Sequence, residues 1–139
     1  MLVYIPSLAF FDLDAPTRIL TDASNKGIGF VLQQKHADNW HLVQAGSRFL
    51  SDPETRYATI EKEMLGVVWA VKKCHKFLAG LSHFQIIVDH NPLLSILNNR
   101  RLDEIENPLL QRLRIKLMSY NFTTFWQKGS SHNAPDALS

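Results

Sequence analysis

Cysteine is almost missing from this chain: Cys74 is the single one in 139 residues. One thiol cannot close an internal disulfide, and without clustered Cys and His residues there is no pattern for a structural zinc site. A strong excess of one charge is missing too. Fifteen Lys and Arg stand against thirteen Asp and Glu, a formal charge of +2, which does not mark a nucleic-acid binder by itself. No apolar run approaches the ~20 residues of a membrane helix. The opening Met1-Leu2-Val3-Tyr4-Ile5 has no basic segment and meets Pro6 at once, unlike a signal peptide. Repeats and low-complexity tracts are also absent. These absences predict a soluble intracellular domain that is neither secreted nor membrane-bound.

What is present is ordinary for a folded protein: 45% apolar and 20% charged residues. The length suits one domain. Residues 1–50 hold four basic and four acidic side chains, and 51–139 hold eleven and nine. Neutralising several of those nine acids with metal would leave the second half positive. Residues 1–16 lack periodicity and are broken by Asp12, Asp14 and Pro16. They read as a lead-in, cut from something longer, to a domain at 17–139.

Three strand-like runs follow: Arg18 to Asp22, Ile28 to Gln34, and Trp40 to Leu50. The turns between them are Ala23-Ser24-Asn25-Lys26-Gly27 and His36-Ala37-Asp38-Asn39. Short turns between β-branched runs predict an antiparallel meander. A helix is expected from Thr55 to Ala79, because Tyr57, Ile60, Met64, Val67, Val68, Val71, Cys74 and Leu78 recur at three- and four-residue steps. Phe84 to Asp89 reads as a strand. Asn91-Pro92 opens a helix to Leu97, and Asn107-Pro108 opens another to Ser119. Phe122 to Trp126 reads as a last strand, with Phe125 and Trp126 in the core. Ala134 to Ala137 reads as the first turn of a helix cut short by the chain end. The order β-β-β-α-β-α-α-β-(α) predicts an α/β fold with a mixed sheet and helices packed on it.

Four acids stand where apolar residues should dominate. Asp22 and Asp89 close strands, Asp136 opens the last helix, and Glu63 or its neighbour Glu61 borders the apolar stripe of the long helix. A single acid at such a place is commonly a solvated cap. Parallel neighbouring first and fourth strands would bring Asp22 and Asp89 to one carboxyl edge, where open α/β sheets place their sites. Converging carboxylates repel one another, and divalent cations with oxygen ligands, Mg²⁺ or Mn²⁺, relieve that repulsion. Two such ions support phosphodiester hydrolysis. Periodicity does not choose between Glu61 and Glu63, since each flanks the stripe by a similar angle.

Four segments then occur in order: Thr21-Asp22-Ala23-Ser24; Tyr57 through Ala70, with Glu61-Lys62-Glu63-Met64-Leu65-Gly66 at its centre; Val88-Asp89-His90-Asn91-Pro92-Leu93; and Asn133-Ala134-Pro135-Asp136-Ala137-Leu138-Ser139. Together they closely resemble the ribonuclease H domain of gypsy-type long-terminal-repeat retrotransposon reverse transcriptases, from about Phe10 to the last residue. The resemblance implies a ribonuclease H-like fold with a mixed five-stranded sheet, a three-strand meander plus two further strands, flanked by helices. It implies an endonuclease that cuts the RNA strand of RNA–DNA hybrids with two Mg²⁺ or Mn²⁺ ions, leaving 5′-phosphate and 3′-hydroxyl ends. It also implies a polymerase domain as partner in the parent polyprotein. The metal-binding and catalytic acids carry over as Asp22, Glu63, Asp89 and Asp136. The family's glutamate directly precedes the Met64-Leu65-Gly66 equivalent, which selects Glu63 and leaves Glu61 as a solvated helix acid. Pro135, before Asp136, departs from the small residue usual there.

Other residues carry weaker signals. His132, in the loop before Asp136, reads as an exposed histidine or as a proton carrier beside the metals. His90 belongs to the resembling pattern and is expected to orient the strand-to-helix turn. Ala23 and Ser24 are small enough to admit a substrate backbone beside Asp22, and Asn25 and Arg48 are candidate substrate contacts. Lys72, Lys73 and Lys76 fall opposite the apolar stripe, as a solvated face or as phosphate contacts. Trp69, on the same side, is expected to pack under a later helix. Arg100, Arg101, Arg112, Arg114 and Lys116 share those two readings. Cys74 is expected in the core. The alternative to a nuclease is a catalytically silent structural or binding module of the same fold.

Overall fold

The computed structural model describes residues 11–99 and 101–128. Strands β1 (Thr17–Ala23), β2 (Gly27–His36) and β3 (Asn39–Phe49) form the meander. The β2–β3 hairpin turns on Ala37 and Asp38, both at positive φ (53° and 67°), as a two-residue loop matching the strand twist requires. Next come α1 (Asp52–Thr55), α2 (Thr59–Lys73), α3 (His75–Leu78), β4 (Phe84–Val88), a π-helical turn (Ser95–Asn99), a 3₁₀ turn (Leu102–Glu104), α4 (Pro108–Ile115) and β5 (Phe122–Trp126). The sheet order is β3-β2-β1-β4-β5. The first three strands pair antiparallel, and β4 runs parallel to β1 on one side and to β5 on the other.

Met64, Val67, Val68, Val71 and Cys74 bury one face of α2 against Ile19, Phe30, Leu32, Ile86 and Val88, with Leu110 and Leu113 of α4 closing the same core. Cys74 is fully buried, as expected, and burial pushes its thiol up to about 12.

The long helix expected from Thr55 to Ala79 is instead three. Ser51 and Glu54 form a reciprocal cap that starts α1 separately. Arg56 then leaves the helix, so Tyr57 precedes α2 rather than lying on its stripe. Ala58 is extended (φ −64°, ψ 159°), and the Glu61 carboxylate accepts its N–H at 2.8 Å, which starts α2 anew. At Cys74 (φ −98°, ψ 16°) the helix breaks again before α3. The next helix begins with turns at Asn91 and Pro92 and closes as the π-helical turn. Asn107 caps α4 as expected, its Oδ1 accepting the N–H groups of Leu109 and Leu110. That helix ends at Ile115, and residues 116–119 form a turn, short of Ser119.

Phe125 and Trp126 are 43% and 42% exposed, not core, because β5 is the outermost strand and lacks a neighbour on one side. Asn98 bonds that open edge: its Oδ1 accepts from Thr124 N–H at 2.9 Å and its Nδ2 donates to Thr124 C=O at 2.8 Å. A side chain thus occupies backbone groups that would otherwise invite another strand. Trp69 packs edge-on against Phe30 of β2, not under a later helix. Residues 11–16 are tied to the sheet. Phe11 packs on Phe77 at 4.9 Å, and buried Gln34 donates to Asp12 C=O and accepts from Asp12 N–H. Among the described residues, no helix is long and apolar enough to cross a membrane.

Candidate active site

The parallel pairing of β1 and β4 aligns Leu20 with Ile87. Continuing that register by two residues puts Asp22 level with Asp89 at the carboxyl ends of both strands. The Asp22 carboxylate accepts the N–H of Ala23 at 2.9 Å, which fixes it against its own strand end. The third acid comes from α2. A Cβ on Gly66 would lie 3.5 Å from Ile28 Cγ2 and 3.7 Å from Asp22 C=O, ordinary van der Waals distances that show how closely α2 lies against the end of β1 at this turn. Glu63, on the turn before Gly66, is therefore buried at 8% exposure.

Burial first, then the negative charges of Asp22 and Asp89, raise the Glu63 carboxyl to about 8. The three acids thus feel one another. Glu61 points elsewhere and is not the solvated acid expected. It caps Ala58 and accepts from Asn107 Nδ2 at 2.8 Å. Those bonds hold its carboxyl below the usual range, the Asn107 bond foremost. Among the described residues, no three His, Cys, Asp or Glu side chains are gathered closely enough to hold a metal ion. Asp136 and His132 lie outside the described residues.

Beside Asp22 is an open hollow of about 420 Å³, lined among others by Ala23, Ser24, Lys26, Gly29 and Arg48. Ser24 Oγ accepts the N–H groups of Lys26 and Gly27, shaping the β1–β2 turn. Asn25 sits exposed at that turn and does not line the hollow. Arg48 is committed to a paired contact with Glu54 at 2.8 and 3.1 Å, which pulls the Glu54 carboxyl down to about 2. It is a wall of the hollow with limited freedom to reach out. Phe49, at 85% exposure, is a further lining residue that sequence reading passed over. Strand alternation gave no reason to single it out.

His90 C=O accepts the N–H of Leu93 at 3.1 Å, so it takes part in the turn after β4. Arg114 is no surface cation: its Nε and Nη2 donate to Ile96 and Leu97 C=O, and its guanidinium lies over Phe122. Arg101 pairs with Asp103 in the open. Arg100 lies outside the described residues.

Residues 12–120 match the family described as an RNase H-like domain found in reverse transcriptase. The chain belongs to this family. This RNase H-like domain is 36% identical over 95% of its length to the retrovirus-related Pol polyprotein from transposon opus of Drosophila melanogaster. It is 35% identical over 95% to that from transposon gypsy of the same organism. Against the transposon Tf2-3 polyprotein of Schizosaccharomyces pombe it is 34% identical over 99%. It spans 13%, 12% and 10% of those polyproteins, respectively. Solved structures share the fold. One is RNase H1 from the halophilic archaeon Halobacterium salinarum, with TM-score 0.64 and 15% identity, covering 88% of this chain and 93% of that one. Another is LC11-RNase H1 in complex with an RNA/DNA hybrid, with TM-score 0.62 and 13% identity, covering 88% and 99%.

Proposed function

We propose that this RNase H-like domain is a ribonuclease H. It is a divalent-metal-dependent endonuclease that hydrolyses the RNA strand of RNA–DNA hybrids during reverse transcription, inside the cell and beside the polymerase domain of its polyprotein. The observation that carries this reading is the burial of Glu63 against the charges of Asp22 and Asp89, at the carboxyl edge of two parallel strands. A carboxyl held near 8 destabilises the metal-free fold at neutral pH, and a core position could have been apolar instead.

The donors suit a hard cation: all are carboxylate oxygens, without sulfur or imidazole among them. Held by Asp22, Glu63, Asp89 and Asp136, two Mg²⁺ or Mn²⁺ ions would supply a water of lowered pKa and a positive charge at the departing 3′-oxygen. The chain's own part is placement. Asp22 is fixed by Ala23 N–H, and Glu63 by the contact of α2 with β1. Because the Glu63 carboxyl is raised to about 8, a cation held there would compete with its proton and would be held more tightly as pH rises toward 8. The small side chains of Ala23 and Ser24 leave room in the hollow for a sugar-phosphate backbone, where a 2′-hydroxyl tells RNA from DNA.

The test is cleavage of an end-labelled RNA–DNA hybrid in Mg²⁺ and in Mn²⁺. Wild type is expected to cut the RNA strand alone, and Asp22→Asn and Asp89→Asn are expected to fall to background while melting no lower than the wild type, since each removes a charge that opposes ionised Glu63. A folded wild type that cuts in neither ion would replace this reading with a silent binding module.

A further inference from the structure

The small net charge conceals a strong separation. Between Glu63 and Asp89 there is no acidic residue, and between Glu106 and Asp136 there is none either. The first stretch holds Lys72, Lys73 and Lys76, and the second holds Arg112, Arg114, Lys116 and Lys128. These seven are nearly half of the fifteen cations. The fold joins the two stretches: α2 packs on α4, Tyr120 bonds His75, and Lys72 Nζ lies 5.5 Å above the Tyr120 ring.

Of these cations only Arg114 is turned inward. Lys72, Lys73, Lys76, Arg112, Lys116 and Lys128 are exposed. Among the described residues the ion pairs are Arg48 with Glu54 and Arg101 with Asp103, so none forms between a carboxylate and Lys72, Lys73, Arg112 or Lys116. Aromatic rings stand where carboxylates would: Tyr120 under Lys72, and Trp69 under Lys73 at 6.0 Å. A ring steadies an ammonium without cancelling its charge. The helix dipole explains two lysines at the last turn of α2, but not the exclusion of acids from a neighbouring helix and strand.

We propose that the C-terminal end of α2, together with α3 and the exposed side of α4, is a second nucleic-acid contact that holds the phosphate backbone of a duplex away from the point of cleavage. It rests on the ribonuclease H reading only in taking the hybrid as the natural duplex. Glu63 and Lys73 are ten residues apart on one helix, about 15 Å along its axis. At one phosphate per ~1.7 Å of duplex axis, that distance spans roughly nine phosphates over both strands. Lysines on a convex helix face suit such a row of point charges, since they read position and not sequence. The carboxylate edge would take the scissile phosphate, and this face would take phosphates of the same duplex about half a turn away.

The probes are a fluorescent RNA–DNA hybrid of about 24 base pairs and an all-DNA duplex of the same length, titrated by anisotropy between 50 and 200 mM salt. The triple variant Lys72→Gln/Lys73→Gln/Lys116→Gln alters exposed side chains only. It is expected to bind both duplexes at least about tenfold more weakly at 50 mM salt and to lower the slope of log K against log salt by about 2–3. Its turnover at saturating hybrid should equal that of wild type. Unchanged affinity and slope would overturn the proposal, as would an unchanged slope with lost binding to the polymerase portion of the polyprotein, which would make the face a protein dock. The DNA duplex reads binding without cleavage, and Asp89→Asn reads cleavage without this face, so the two readings fail separately.

Discussion

Glu63 shows how one residue links stability to the site. Its carboxyl is raised to about 8 in the fold, against an ordinary 4.5. The folded protein therefore holds a proton that the unfolded chain has released. The associated stability is complete below about pH 4.5 and is lost as pH rises through 8. Glu63→Gln, which cannot ionise, should melt several degrees above wild type at pH 8 in chelator and alongside it at pH 5. Thermal melts at the two pH values check this, and equal melting at pH 8 would show that neither burial nor the charges of Asp22 and Asp89 raise the Glu63 carboxyl. The same variant should not cleave, so stability and activity are expected to part at this position.

At the scale of elements, the neighbouring Glu61 does structural work. One carboxylate oxygen caps Ala58 at the start of α2, and the other accepts from Asn107, which itself caps α4 through Leu109 and Leu110. Two helix starts are thus locked by one pair of side chains. Asn107→Ala removes the α4 cap and the Glu61 partner together, and should cost about 1–2 kcal/mol in urea unfolding. Asn107→Asp restores the cap but sets a negative charge against Glu61, and should recover only part of that loss. The break before α2 has the same local origin, since the Glu61 cap satisfies a backbone donor at Ala58 that a continuous helix would have used internally.

For the molecule as a whole, the decisive contact is that of α2 with the sheet at Gly66. A methyl group there would meet Ile28 and Asp22 at ordinary van der Waals distances. Gly66→Ala should therefore keep the fold and gain up to about 1 kcal/mol from helix propensity. Gly66→Leu has no such room. It should push the helix off β1, cost about 1–3 kcal/mol and lower hybrid cleavage, because Glu63 rides one turn away. Urea melts and the cleavage assay measure both, and a fully active Gly66→Leu would show that helix–sheet spacing does not set the site.

Much of this architecture was legible in the linear pattern. The meander, the strand that ends just before Asp89 and the Asn107 cap follow from short-range rules, because alternation, turn residues and cap residues report the backbone they occupy. The order of the four acidic segments also carried the family resemblance. Other features depend on what lies across the fold. Glu61 and Glu63 flank the apolar stripe alike, and only packing buries one beside Asp22 and Asp89 while tying the other to Asn107. Phe125 and Trp126 look like core residues until the sheet order makes β5 an edge. Arg114 looks like a surface cation until Ile96 and Leu97 offer it carbonyl groups. The two acid-free stretches are each visible in the sequence, yet they become one positive face only where α2 meets α4. Local conformation is written within a few residues, whereas burial and charge proximity arise between distant ones, and those two forces place the candidate site.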